Sequence, residues 1–352
     1  MPRGDVGVTT DQVTRIIPHE TTARVRVVLA TLALCVLSPS CNNETAGPGV
    51  PGPPDPASAV FVTSDIVHFW QAYDAGGKDG VAAAFQRDYL DLASPGLRDF
   101  MQARDVTAAR LAQMVLAYPR YFAAIRANTL RLAQDPTLLD PVRASYEAIE
   151  SRYPAAVYPP VTFLIGRFST GGTIRASGVL VGTEFYAIDD TTPLDELETF
   201  RRNNVRPLGS IALIVAHEHV HVQQFRAGGL GTKPDKTLLD QSLLEGSADF
   251  VGELVAGAHI NGATHAWALP REGQLWVEFQ QVMNGTDVSQ WLYNQGSATP
   301  DRPGDLGYFI GYRIAQRYYD TRPDKNAALR EIIEVSDASA LLAASGYDGT
   351  GP

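Results

Sequence analysis

The chain is 352 residues long and acidic, with 29 Lys and Arg against 39 Asp and Glu and a formal net charge of −10. That balance argues against a nucleic-acid partner, which needs a basic face. The two cysteines, Cys35 and Cys41, lie near the amino terminus, so the folded part relies on no disulfide and offers no thiolate to a metal.

At the amino-terminal end, Arg24 and Arg26 precede an apolar run from Val27 to Leu37. The run is too short to span a bilayer as a helix. A basic start, a short apolar stretch and the small residue Ser40 before Cys41 read as a secretory signal, here of the bacterial lipoprotein type. Cys41 would become the lipidated first residue; ordinary secretion or an uncleaved anchor is the alternative. Residues 1–40 are therefore set apart from the fold. They hold four Arg against three acids, which leaves 25 basic against 36 acidic residues in the rest. Residues 41–58 follow as a Pro/Gly-rich tether, whose composition favours an extended chain over a packed one. The expected setting is the cell envelope, in the periplasm or at the outer membrane surface, with the lipid bilayer as one partner.

From Ser64 to Tyr153 the apolar spacing is helical, punctuated by Pro119, Pro136 and Pro154. The period then changes to two. Val161, Phe163 and Ile165 alternate, as do Val179, Val181, Phe185 and Ala187, with a Ser-Thr-Gly-Gly turn at 169–172 between them. From about residue 194 the pattern is helical again. With no repeat and no second linker, residues 59–352 read as one α+β domain, mostly α.

Residues 217–221, His-Glu-His-Val-His, contain HExxH. Pro207 suits the start of a helix, and Ile211, Ile214, Val215 and Val222 supply near-helical apolar spacing. On that helix His217 and His221 lie one turn apart on one face. Two imidazoles so placed can bind one zinc ion, with Glu218 beside them to take a proton from a metal-held water. The glycine-rich stretch after Arg226 stops the helix. A second helical pattern, from Leu238 to about Val255, carries Glu245 and Asp249. Glu245 can supply the third ligand, and Asp249, one turn on, can orient a ligand histidine from behind. His219 points about 200° away from His217 and is read as a packing residue. Glu253 is read as a polar helix residue, and His68, His259 and His265 have no partner pattern.

HExxH followed by ExxxD on the next helix resembles the gluzincin metallopeptidases. Several segments resemble more closely a bacterial family of zinc-dependent proteases that includes gliding-motility-type lipoproteins. These are Thr63-Ser-Asp-Ile-Val-His-Phe-Trp-Gln-Ala-Tyr-Asp74, Gly171-Gly-Thr173, Glu245-Gly-Ser-Ala-Asp-Phe250 and Asp305-Leu-Gly-Tyr-Phe-Ile-Gly-Tyr312. The resemblance implies a zincin-like fold with a small sheet beside the HExxH helix, whose edge strand pairs with an extended peptide. It also implies His217, His221 and Glu245 as zinc ligands, Glu218 as the base and Asp249 as partner of a ligand histidine.

Peptidases of this kind need a further hydrogen-bond donor for the oxyanion. In segment 305–319, Leu306, Ile310 and Ile314 line one helical face and Tyr308, Tyr312 and Tyr319 another. Tyr312, after Gly311, is the first expectation for that donor and Tyr308 the second. The expected function is a cell-envelope zinc metallopeptidase acting on a peptide or protein. The alternative is a non-enzymatic envelope lipoprotein of gliding or secretion machinery with a structural zinc. A third possibility is hydrolysis of a non-peptide amide.

Overall fold

The first half of the domain is helical, as the apolar spacing from Ser64 to Tyr153 implies, with a further break before Pro95. Helices α1 (Ser64–Phe85), α2 (Pro95–Arg104), α3 (Ala108–Ala117), α4 (Pro119–Gln134) and α5 (Asp140–Glu150) follow in order. Proline opens α2 and α4 and stands second in α5, where its missing N–H costs nothing. The computed structural model describes residues 50–299 and 301–350, and these belong to one unit. Cys41, the expected signal segment and the first part of the tether lie outside the described residues.

Residues 50–58 depart from the tether expectation. Val50 and Pro56 are buried, Asp55 caps a short 3-10 turn at Pro56–Ser58, and the Pro53 carbonyl accepts the Tyr158 N–H at 2.9 Å. Proline has little backbone freedom to lose, so a Pro-rich segment packs at low entropic cost once an apolar surface is offered.

The sheet is small: β1 (Phe61–Val62), β2 (Val161–Leu164), β3 (Gly172–Arg175) and β4 (Gly178–Gly182), in the order β1-β2-β4-β3. The first three in that order run parallel, and β3 pairs antiparallel to β4 with Gly172 opposite Val181. Every residue of β2 and β4 is buried. The alternation in the sequence implies one wet face, but α1 and α2 pack on the sheet as well as the HExxH helix, and strands covered on both faces need not alternate. The second expected strand also ends early. Chain 183–185 turns into a 3-10 segment because the buried Glu184 carboxylate accepts N–H groups of Gly166 and Phe168. That turn swings Phe185 and Tyr186 out of the sheet.

The second half is helical: α6 (Thr199–Asn204), α7 (Ile211–Ala227), α8 (Gly229–Thr232), α9 (Leu238–Ala256), α10 (Gly262–Ala268), α11 (Glu272–Gln280), α12 (Leu306–Thr321), α13 (Lys325–Ile333) and α14 (Ala338–Ser345). Thr237 and Asp240 form a reciprocal capping box that starts α9. Helix α7 is buried nearly all round, as a central helix must be when sheet and helices cover it. Among the described residues no helix is long and apolar enough to cross a membrane. The protein is thus α+β and mostly helical, with α7 lying between the sheet and α9.

Candidate metal centre

HExxH occupies the middle of α7, and ExxxD the middle of α9. The two helices cross at Gly252, where a Cβ would lie 3.4 Å from the His217 backbone nitrogen. Glu245 and Asp249 are thereby brought against the histidine face of α7. One atom from each of His217, His221 and Glu245 lies within 4.8 Å of the others. All three residues are buried, at 4%, 3% and 2% exposed.

Hydrogen bonds fix which nitrogens face the cluster. His217 Nδ1 donates to Asp249 Oδ1 at 2.8 Å. His221 Nδ1 donates to Gln224 Oε1 at 2.7 Å. The Gln224 amide is itself oriented, because its Nε2 donates to Leu244 O and Ser247 Oγ. With both Nδ1 atoms carrying protons toward partners, both Nε2 lone pairs point inward. They lie 3.1 Å apart, and His221 Nε2 is 3.1 Å from Glu245 Oε2. Three acceptors converging in a buried site repel one another unless a cation sits between them. The donor set, two imidazoles and one carboxylate, suits a divalent transition ion.

Positive charge at this point also favours the Glu245 carboxylate. Burial raises its carboxyl, but with the imidazoles protonated in place of a bound ion, the charge of His221 and hydrogen bonds from both histidines outweigh burial and hold the group well below the usual carboxylate range. Glu245 Oε1 also accepts the Tyr293 hydroxyl at 2.9 Å. Asp249 uses its second oxygen to accept Asn261 Nδ2 at 2.8 Å, and the Asn261 backbone N–H donates to His259 Nδ1 at 2.8 Å. Each ligand is therefore braced by a partner, an arrangement that sets ligand orientation and basicity.

Glu218 is 1% exposed and lines a cleft with His217. The edge strand β3 passes directly over it: a Cβ at Gly172 would lie 2.6 Å from Glu218 Oε1. Only glycine permits that approach. The cleft encloses about 120 Å³, less than a whole small-ligand site. Gly171, Gly172, Phe185, Phe200, Asp305 and Tyr308 are among the residues that line the cleft. Burial pushes the Asp305 carboxyl up to about 6.

The preference for Tyr312 over Tyr308 is corrected. Tyr308 lines the cleft, its ring stacked 6.3 Å from that of His217. Tyr312 does not line it: its hydroxyl donates to Glu253 Oε2 at 2.8 Å and its ring packs on Phe250, His259 and His265. The glycines explain the difference. Gly311 meets α9 rather than the cleft, with a Cβ there 1.7 Å from Ser242 O. Helix α12 thus runs tightly along α9, and one turn, about 5.4 Å, carries Tyr312 from the level of the cluster to that of Glu253.

His219 faces away, donating to Val157 O at 2.7 Å and packed on Tyr146 and Tyr158. Burial drops its pKa to about 4, so it stays neutral. Tyr293, Asn261 and Arg206, which lines the cleft, carry no sequence signal that picks them out. Gln224 alone had a local cue, three residues after His221 on the same helix.

No curated protein and no solved structure matches the chain. The family model described as gliding motility protein GldB matches residues 55–349, which spans both helices of the cluster, the sheet and the cleft. By that match the chain belongs to the gliding motility protein GldB family.

Proposed function

We propose that the protein is a cell-envelope lipoprotein of the gliding-motility type that binds one zinc ion through His217, His221 and Glu245 and hydrolyses peptide bonds at that site. Family membership supports the lipoprotein and its association with membrane and protein partners. The convergence of two inward Nε2 lone pairs and a carboxylate supports the metal. The order HExxH on one helix and ExxxD on the next supports a gluzincin-like, zincin-type assignment.

Zinc, when bound, supplies Lewis acidity toward a water and a carbonyl oxygen. The rest is work for the chain's own side chains. Glu218 accepts a proton at its carboxylate and returns it to the leaving amine. Asp249 and Gln224 hold the two imidazoles in the tautomer that leaves Nε2 free. The edge strand β3 offers backbone groups to an extended peptide. Tyr308, in the cleft beside His217, would supply the hydroxyl that donates to the oxygen that gains charge. Tyr308→Phe is expected to lower turnover by about 10²–10³, whereas Tyr312→Phe, which loses only its bond to Glu253, is expected to leave turnover intact. Equal losses in steady-state kinetics of the two variants would refute this role for Tyr308.

The family match favours a second reading, in which the protein is a non-enzymatic part of gliding machinery and the metal only ties α7 to α9. A denatured-protein panel incubated with the purified chain, with and without a chelator, separates the two. Chelator-sensitive cleavage supports the hydrolase. A drop in melting temperature on chelation with no cleavage supports the structural reading. In either case Cys41→Ser is expected to release the protein from the membrane fraction or block its processing. An unmodified Cys41 inside an intact mature chain, found by mass spectrometry, would remove the anchor.

A further inference from the structure

Arg206 lies in the same cleft as Glu218 and His217. It sits on the segment between α6 and α7, and its backbone is tied down: Arg206 N donates to Phe185 O at 2.7 Å, and its carbonyl accepts Ile188 N–H at 3.3 Å. The guanidinium Nη1 donates to the backbone carbonyls of Asn203 (2.6 Å) and Val205 (3.0 Å). Among the described residues no carboxylate pairs with it. Burial pushes the group down from its ordinary value, and Tyr186 acts in the other direction.

A half-buried cation without a counter-charge is costly, and proteins rarely keep one without an anion to meet it. Arginine presents its N–H groups in a planar fork that matches a carboxylate. The rest of the cleft narrows the choice of anion. Glu218, Asp249 and Asp305 also line it, so a doubly charged phosphate would meet about twice the repulsion that a singly charged carboxylate meets there. Phe185, Phe200 and Ile214 line the same space and suit an apolar side chain next to that carboxylate.

We propose that Arg206 is a specificity residue that binds a carboxylate of the peptide held in the cleft, with an apolar side chain beside it. This rests on the cleft being a peptide site. A terminal α-carboxylate would make the cleft one for peptide ends; an Asp or Glu side chain would make it one for acidic sequences.

The test uses the zinc-loaded mature chain carrying Glu218→Gln, so that binding is read without turnover. Calorimetry compares acetyl-Ala-Ala-Phe bearing a free carboxyl group with its carboxamide, and acetyl-Ala-Glu-Phe carboxamide with acetyl-Ala-Gln-Phe carboxamide. One carboxylate probe is expected to bind about 10–100-fold tighter than its neutral counterpart, as for a charge-assisted pair. The pair showing the preference identifies the source of the carboxylate. Adding Arg206→Gln should bring that ratio to near one, and Arg206→Lys should keep part of it, with zinc content and melting temperature unchanged in both. A neutral probe binding as well as its acid, no binding by any probe, or a ratio that survives Arg206→Gln would overturn the proposal. Carboxylate preference in a protein that cleaves nothing would instead retain Arg206 and remove the hydrolase reading.

Discussion

Glu245→Ala is expected to strip most of the zinc from the purified protein. Glu245 is the only carboxylate in the three-residue cluster among the described residues, and it brings the negative charge that two neutral imidazoles lack. Losing an outer partner of a ligand typically costs about 10–100-fold in metal affinity; losing a ligand itself should cost more. The vacated space would be lined by two lone pairs and the Tyr293 hydroxyl, which loses its bond to Glu245. Metal analysis after dialysis should give close to one zinc per chain for the parent and little for the variant. A competition titration with a chromogenic chelator gives the size of the loss. Because metal bound only to the folded state stabilises it by RT ln(1 + L/Kd), with L the free metal concentration, the variant should also melt lower, and zinc at concentrations that saturate the parent should not restore it. A His217→Ala/His221→Ala double variant that keeps stoichiometric zinc would refute the assignment of the site.

Glu218→Gln should have the opposite profile, with metal and fold retained and turnover lost. Glu218 is not part of the ligand cluster, and it lies at the cleft under Gly172. Glutamine has the same shape, so it fits beneath the β3 backbone that leaves no room above Oε1. It cannot take up a proton. General acid–base groups contribute about 10²–10⁴ in rate, and a loss of that order in kcat, at unchanged zinc content, is expected on any substrate that the chelator experiment yields. Unchanged turnover would show that Glu218 is not the base. The two variants together divide the site's roles: Glu245→Ala removes the metal, and Glu218→Gln leaves it in place without chemistry.

The residues of the cluster were legible in the sequence because each pair is set by local helix geometry. His217 and His221 share a face of α7, and Glu245 and Asp249 share a face of α9, by the i, i+4 rule alone. The same periodicity marked both helices and the α+β, mostly helical class. Local spacing says nothing about how two helices cross, and that is where the remaining site was decided. Gly246, Gly307 and Gly311 let α12 lie against α9, which sent Tyr308 to the cleft and Tyr312 to Glu253 although both sit on one stripe. Tyr293, held at φ 56°, and Asn261 reach Glu245 and Asp249 from irregular segments that have no period to read. Arg206 became a candidate only when the bend after β4 placed Phe185 and Tyr186 beside it. Residues 50–58 looked like free tether because composition records their polarity and proline content but not the neighbours that bury Val50 and Pro56. In this protein the sequence by itself determined which side chains share a helical face, since rise and turn are properties of the backbone. The tertiary structure decided which of those faces meet, since close approach depends on where glycines let one backbone pass another.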